Sequence, residues 1–451
     1  MEDTLFWSRA QFAFTITYHY LFPQLTMGLA WIIVYFKWRQ LRTGEDRFAN
    51  AARFWARIFG INFAVGVVTG IPMEFQFGTN WGGFSKFSGN LIGQTLAMEG
   101  MFAFFLESAL IGAMVWGERR LGPRNHFTAT LGVALGSWLS GYFILVTNGF
   151  MQHPVGYSIG PDGSLQLENF AAYLLNPWAL IMYLHNQCAA LVTGSFVVAA
   201  VGALFALRRV HLEQATLYLK TGSLVGLCAS LFVAFPTGDR EAKMVARHQP
   251  ATLAAMEGHF TTGSNVELNI IGQPDEADRR IDNPLYVPDA LSILAFGHAN
   301  SSVQGLDAFP LDEWPTNTEL LYYAFHVMAG LGTLFILLMG IANFQRWRGR
   351  LLESRALLWA LMLAFPFPYI ATTAGWMTAE LGRQPWLIYG LLRTSQGVSE
   401  VVNGGNVLFT LIGFTGLYFV LGILFLFLIG WEISRGPHEM SGVERIEVSH
   451  D

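Results

Sequence analysis

Ala374-Gly375-Trp376-Met377-Thr378-Ala379-Glu380-Leu381-Gly382-Arg383-Gln384-Pro385-Trp386 is the stretch that decides the fold, because an apolar run of bilayer-spanning length ends inside it on a carboxylate, Glu380. A carboxylate at the lip of an apolar helix is costly unless a partner or a ligand needs negative charge there. Gly382 and Pro385 stop the helix, and Arg383 and Gln384 set a guanidinium and an amide beside that charge. The bland account is that Arg383 neutralises Glu380 while Trp386 sits in the interfacial aromatic belt. That account weakens once other polar residues are found at the same depth in neighbouring helices.

Around this stretch, the 451 residues are 53% hydrophobic and 13% charged, with a mean hydropathy of +0.38, which excludes a soluble core and predicts an all-α polytopic membrane protein. Apolar runs near 12–36, 54–74, 92–116, 127–148, 178–206, 217–236, 320–343, 356–380 and 405–431 predict nine transmembrane helices in one membrane domain, 1–451. Lys and Arg crowd alternate connections: Lys37 to Arg57, Arg119 to Arg124, Arg208 and Arg209, and Arg346 to Arg355. The positive-inside rule makes those sides cytoplasmic, with the N-terminus outside and the C-terminus inside. The long connection 237–319 then faces outward, and its length marks it as functional. Met1-Glu2-Asp3 offers no basic leader, so no signal peptide is expected. Cys188 and Cys228 lie inside predicted spans and read as packing residues.

His19, Glu99 and His185 interrupt the first, third and fifth predicted helices, and His326 and Met328 the seventh, each roughly two turns in from the outer end at about 1.5 Å per residue. Glu380 ends the eighth on that side. A lone intramembrane histidine is more often a hydrogen-bonded packing residue than a ligand, but five helices bringing ligand-type groups to one layer argue for a cofactor or an ion path. In a chain without Cys clusters, His with thioether or carboxylate points to haem iron rather than iron–sulfur or zinc. His with Met fills both axial positions and suits electron transfer, whereas a single His or Glu leaves one position open to dioxygen. His326 and Met328 lie about 200° apart around the helix axis, so only one can face the site that His185 faces, and chemistry alone leaves the choice open.

Glu99 and Glu107 fall near one face of one predicted helix, about 12 Å apart in depth, which reads as a proton relay. Ser108, Ser137 and Ser140 are hydroxyls able to carry protons or simply to pack. In the outer loop, 238–260 has helical spacing around Pro250 and carries His248, Gln249 and Glu257. Such amphipathic helices usually lie on an interface, yet a quinol head group needs a proton acceptor at that boundary, and Glu257 or His248 could serve.

These residues resemble subunit I of the cytochrome bd-type quinol oxidases over essentially the whole chain, most specifically in GRQPW at 382–386 and QPATLAAMEG at 249–258. The resemblance implies that His185 and Met328 are the axial ligands of a low-spin haem b (b558-type). It implies that His19 and Glu380 ligate a high-spin haem b (b595-type) and haem d, or a further haem b in its place, with Trp376 and Arg383 close by. It likewise implies that Glu99 stands near the oxygen-reactive haem, that Glu107 and Ser140 belong to a proton path, and that Glu257 lines a quinol pocket with Gln249, His248 and Thr252. Many relatives carry Lys at the position of Thr252, and the 237–319 loop resembles the short form, a group that includes cyanide-insensitive oxidases. A terminal oxidase of the bacterial cytoplasmic membrane is thereby expected. It would oxidise quinol outside, reduce dioxygen with cytoplasmic protons, and assemble with a second large subunit (subunit II) and a small single-helix subunit, with no nucleic-acid partner. The competing readings are a haem-bearing electron relay and an ion-coupled secondary transporter; transporters favour internal repeats, and no convincing repeat is visible.

Overall fold

The computed structural model describes residues 2–437. Each of the nine apolar runs is helical: α1 (Glu2–Thr43), α2 (Asp46–Gly78), α3 (Gly82–Met98) continuing through a π-helical turn, Glu99–Phe104, into α4 (Phe105–Trp116), and α5 (Glu118–Gln152). There follow α6 (Pro177–Arg208), α7 (Leu212–Phe232), a second π-helical turn, Val233–Gly238, and α8 (Asp239–His248). Beyond α9 (Pro250–Glu257) come α10 (Thr318–Trp347), α11 (Arg355–Leu363), α12 (Phe367–Arg383) and α13 (Gly404–Arg435). Against the expected nine, seven of these helical stretches are long and apolar enough to cross a membrane, or eight if α11 and α12, bent by 41°, form one span. The first helix is long enough at 42 residues, but Gln11, Thr15, His19 and Gln24 dilute its apolar run. Strands occur among the described residues only as four two-stranded pieces in the connections.

The bundle is knitted by small residues. A Cβ on Gly28 of α1 would stand 1.9 Å from the carbonyl oxygen of Ala190, and one on Gly194 of α6 would stand 2.9 Å from the carbonyl carbon of Gly28, so only glycine permits this crossing. The two helices run parallel, because further along Ile32, Ile33 and Phe36 share a buried cluster with Val198, Val201 and Phe205. That cluster lies toward the end rich in Lys and Arg, where Lys37 pairs with Glu118 at 2.6 Å, Arg53 with the same carboxylate at 3.2 Å, and Arg57 with Glu432 of α13. Buried cations are costly unless paired, so these pairs fix the shared end of α1, α2, α5 and α13.

The stretch 237–319 is not a bare loop. It continues α7 through the π turn and α8, turns at Gln249-Pro250 into α9, and then forms a hairpin of β1 (Leu268–Asp275) and β2 (Arg280–Val287). Leu253, Ala254, Ala255 and Met256 of α9 pack with Val266, Leu291, Val303, Leu306 and Leu321 into a core of their own.

Candidate functional site

The two histidines of the outer layer are held in the same way. Nδ1 of His19 lies 3.1 Å from Oγ1 of Thr69, and Nδ1 of His185 lies 3.1 Å from Oγ1 of Thr237. Each threonine hydroxyl spends its own proton on backbone: Thr69 on Val65 and Gly66, Thr237 on Phe232 and Val233. The threonine oxygens can therefore only accept, the proton of each ring sits on Nδ1, and Nε2 keeps its lone pair. Among the described residues neither Nε2 has a hydrogen-bond partner. His326 is the opposite case: Nδ1 lies 2.8 Å from the Tyr322 carbonyl, Nε2 lies 2.8 Å from the Asn269 carbonyl, and the ring stacks on Tyr322. His326 is thus engaged by protein carbonyls through both nitrogens, whereas Sδ of Met328 lies against α12, where a Cβ on Gly375 would approach it to 2.8 Å.

Gly375 and Trp376 link the two expected partners. The Trp376 side chain packs on a cluster containing Leu145, Trp178 and Met182, and Met182 stands one turn before His185 on α6. At the end of α12, Glu380 pairs with Arg383 and accepts from Nδ2 of Asn148 at 2.8 Å. Arg383 is 2% exposed whereas Glu380 is 39% exposed. The neutralising pair is thus real, yet a carboxylate offers about four acceptor positions, and three bonds from Arg383 and Asn148 leave one free. Open Nε2 atoms on His19 and His185, and a carboxylate with acceptor capacity to spare, fit haem ligation.

The carboxylate pair of the third apolar run is set by the π turn. In a regular α-helix eight residues overshoot two turns by about 80°. The wider π turn at Glu99–Phe104 takes up that excess, and both side chains face α5. Ser140 donates to Oε1 of Glu99 at 2.9 Å, and Ser137 is the hydrogen-bonding neighbour of Glu107. Ser140 thus serves the Glu99 end of the pair and Ser137 the Glu107 end. Glu107 is 5% exposed, and its Oε1 has no partner among the described residues.

The four outer-loop residues are dispersed. Thr252 donates to the Gly382 carbonyl at 2.7 Å and to Gln249 at 3.3 Å, and Gln249 donates to the carbonyl and the side chain of Gln152, both at 2.9 Å. These two clamp α9 onto the end of α5 and the start of GRQPW. His248 is exposed and its ring lies 4.3 Å from that of His153, tilted by 44°, beside Trp178, while burial and then His248 push the His153 pKa down. Glu257 is buried on the far side of α9 with Oε2 unpartnered among the described residues, and burial pushes its pKa up to about 8. The unpartnered hydroxyl of Tyr322 belongs to the same neighbourhood. Of the four, Glu257 alone is buried with an unpartnered oxygen among the described residues, while His248 presents its ring at the surface. Sequence reasoning missed Thr69, Thr237, Asn148 and Gln152; polar residues inside apolar helices were the available signal.

A family model for cytochrome bd terminal oxidase subunit I matches residues 7–437. The chain is 34% identical over 438 residues to cytochrome bd ubiquinol oxidase subunit 1 of Bacillus subtilis (strain 168), covering 95% of this chain and 93% of that one. It is 32% identical to cytochrome bd-II ubiquinol oxidase subunit 1 of Escherichia coli (strain K12), over 98% of both. Among solved structures, bd oxidase from Geobacillus thermodenitrificans superposes with a TM-score of 0.88 at 30% identity, covering 96% of this chain and 99% of that one.

Proposed function

The chain belongs to the cytochrome bd terminal oxidase subunit I family and is a haem-carrying, multi-pass subunit of a membrane quinol oxidase, and from that premise we propose how its own residues divide the work. His185 and Met328 hold the low-spin haem b, and His19 and Glu380 hold the two further haems, a high-spin haem b and a haem d or another haem b. When bound, these groups supply the one-electron carriers between quinol and the place where dioxygen is reduced to water. The observation that carries the assignment is the contrast between rings: His19 and His185 keep Nε2 open, and His326 has neither nitrogen to give. Glu380 is paired with Arg383 and accepts from Asn148, and Trp376 fills the space between α12 and α6.

Quinol is oxidised on the outer side, at the surface formed by α8, α9 and the start of GRQPW. Glu257 accepts a quinol proton on Oε2, its pKa near 8 matching that role. Gln249 and Thr252 hold α9 in place, and His248 lines the approach with His153. Protons for water formation rise from the opposite, Lys- and Arg-rich side. Glu107 binds them on its unpartnered Oε1, and Glu99, oriented by Ser140, receives them. On this reading the N-terminus is outside and the C-terminus cytoplasmic in a bacterial inner membrane, as the Lys- and Arg-rich connections argue. The family brings a second large subunit; a small single-helix subunit completes the assembly. Purified oxidase assayed for oxygen consumption with a reduced quinol, together with haem extraction and a visible spectrum, tests the reading. Low-spin and high-spin haem signals with quinol-dependent oxygen uptake are expected, and a chain devoid of haem or inert to quinol overturns it.

A further inference from the structure

We propose that Thr69 and Thr237 are positioning residues that fix the tautomer and the electron-donating strength of His19 and His185 through matched threonine-glycine cradles. The inference rests on the haem-ligand reading above and adds to it two side chains on other helices. The match is geometric. Each histidine stands nine residues before the glycine at which α1 and α6 cross, Gly28 or Gly194. Each ring leans on a Thr-Gly pair brought from a distant part of the chain, Thr69-Gly70 or Thr237-Gly238, 50 and 52 residues onward. Both glycines lie against the imidazole edge: a Cβ on Gly70 would crowd Cε1 of His19 at 2.9 Å, whereas one on Gly238 would stand at ordinary contact, 3.5 Å, from Cε1 of His185 and would be barred instead by the Val233 carbonyl oxygen at 2.6 Å.

The backbone beneath the cradles differs, which makes the agreement in chemistry informative. Thr69 lies in the regular helix α2 and donates to the carbonyls three and four residues back. Thr237 lies in a π turn and donates four and five residues back. Both arrangements consume the hydroxyl proton and present the oxygen as an acceptor toward Nδ1. Thr69 is also braced from outside its own helix, since the Tyr418 hydroxyl of α13 donates to its carbonyl at 2.6 Å. An Nδ1–H bonded to oxygen raises the basicity of Nε2 and holds the ring plane. A more basic ligand favours ferric over ferrous iron, so each threonine lowers the potential of the haem its histidine serves.

The test uses the purified oxidase complex and reads midpoint potentials by spectroelectrochemical titration, with spin state from electron paramagnetic resonance. Oε2 of Glu241 lies 3.8 Å from Nδ1 of His185 and could replace the lost acceptor, so Thr237→Val is made together with Glu241→Ala, which leaves no acceptor there, and compared with Glu241→Ala alone. Valine keeps the shape and removes the oxygen. With Thr237 replaced, the low-spin haem is expected to stay bound and low-spin. Its ferric-over-ferrous preference should fall on the order of tenfold, an upward shift of about 59 mV for one electron. Thr69→Val leaves the Gly66 backbone carbonyl as a second acceptor beside His19 and should move the potential of the haem on His19 in the same direction but by less, and Thr69→Ser and Thr237→Ser should restore wild-type values. Unchanged potentials in the valine variants overturn the proposal. Equal loss of haem in valine and serine variants also overturns it, since packing alone would then explain both residues. His185→Ala separates the layers of argument: a low-spin haem that survives it refutes the ligand assignment itself, whatever the threonine variants do.

Discussion

The helix layer and the outer loop carry similar residue types and use them differently. In the layer, His19 and His185 are tied at one nitrogen and open at the other, and Glu107 keeps an oxygen without a partner among the described residues. In the loop, Gln249 and Thr252 are satisfied by protein, as is the neighbouring His326. Buried polar groups are normally hydrogen-bonded, so an atom left open within a well-satisfied surround marks where something else binds. By that measure the loop contributes one buried open atom among the described residues, Oε2 of Glu257; Gln249 and Thr252 are joinery, and His248 is a surface ring.

The largest effect should come from the pair that divides the two categories. Met328→Leu is expected to abolish the low-spin haem signal or convert it to high-spin, while His326→Leu leaves it low-spin and only loosens the contact between α10 and β1. Visible and electron paramagnetic resonance spectra of both variants decide it, and the reverse pattern would break the comparison. Next, Glu107→Gln should retain every haem but slow turnover by about 10²-fold, the usual contribution of a positioned proton carrier. Proton uptake by proteoliposomes provides the check, and wild-type uptake would return Glu107 to a tolerated polar contact.

Glu257→Gln should lower kcat/KM for quinol by about a hundredfold with haem content intact, a loss at the low end for a general base. The pH behaviour sharpens this. A base with its pKa near 8 works better as it deprotonates, so the wild-type rate should rise with pH and level off above about 8, and Gln should flatten that rise. Stability should move the other way. Burial raises this carboxyl from 4.5 to about 8 in the folded state, so between those values the folded protein binds more protons than the unfolded one. Stability contributed by this group is then fully present below pH 4.5 and declines as pH rises to about 8. Thermal unfolding of wild type and Glu257→Gln across that window measures the difference. The smallest effect is expected from Thr252→Val, which removes the hydrogen bond to Gly382 and should cost about 1 kcal/mol. A drop in quinol kcat at unchanged stability would instead make Thr252 part of the pocket.

Much of this molecule is legible along the chain. Apolar run lengths placed every long helix, because a membrane helix must satisfy its backbone internally and bury roughly 20 apolar residues in a row. Interrupting residues such as His19, Glu99, His185 and Glu380 marked the site, because ionisable groups in such runs are too costly to be incidental. The π turns were not legible: Glu99–Phe104 and Val233–Gly238 have ordinary helical composition, and a shift from one hydrogen-bond ladder to another is set by what packs against it. Nor was the state of each histidine. Whether a ring nitrogen is open depends on an oxygen carried in from another helix, Thr69 for His19, Thr237 for His185, and the carbonyl of Asn269 for His326. Hydropathy is a property of neighbours in sequence, so the sequence determined the long helical runs and the candidate residues, though seven or eight of the nine expected spans meet the length and apolarity needed to cross a membrane. Hydrogen bonding in this core joins residues 50 or more positions apart, so only the tertiary structure decided which candidates had an atom to offer.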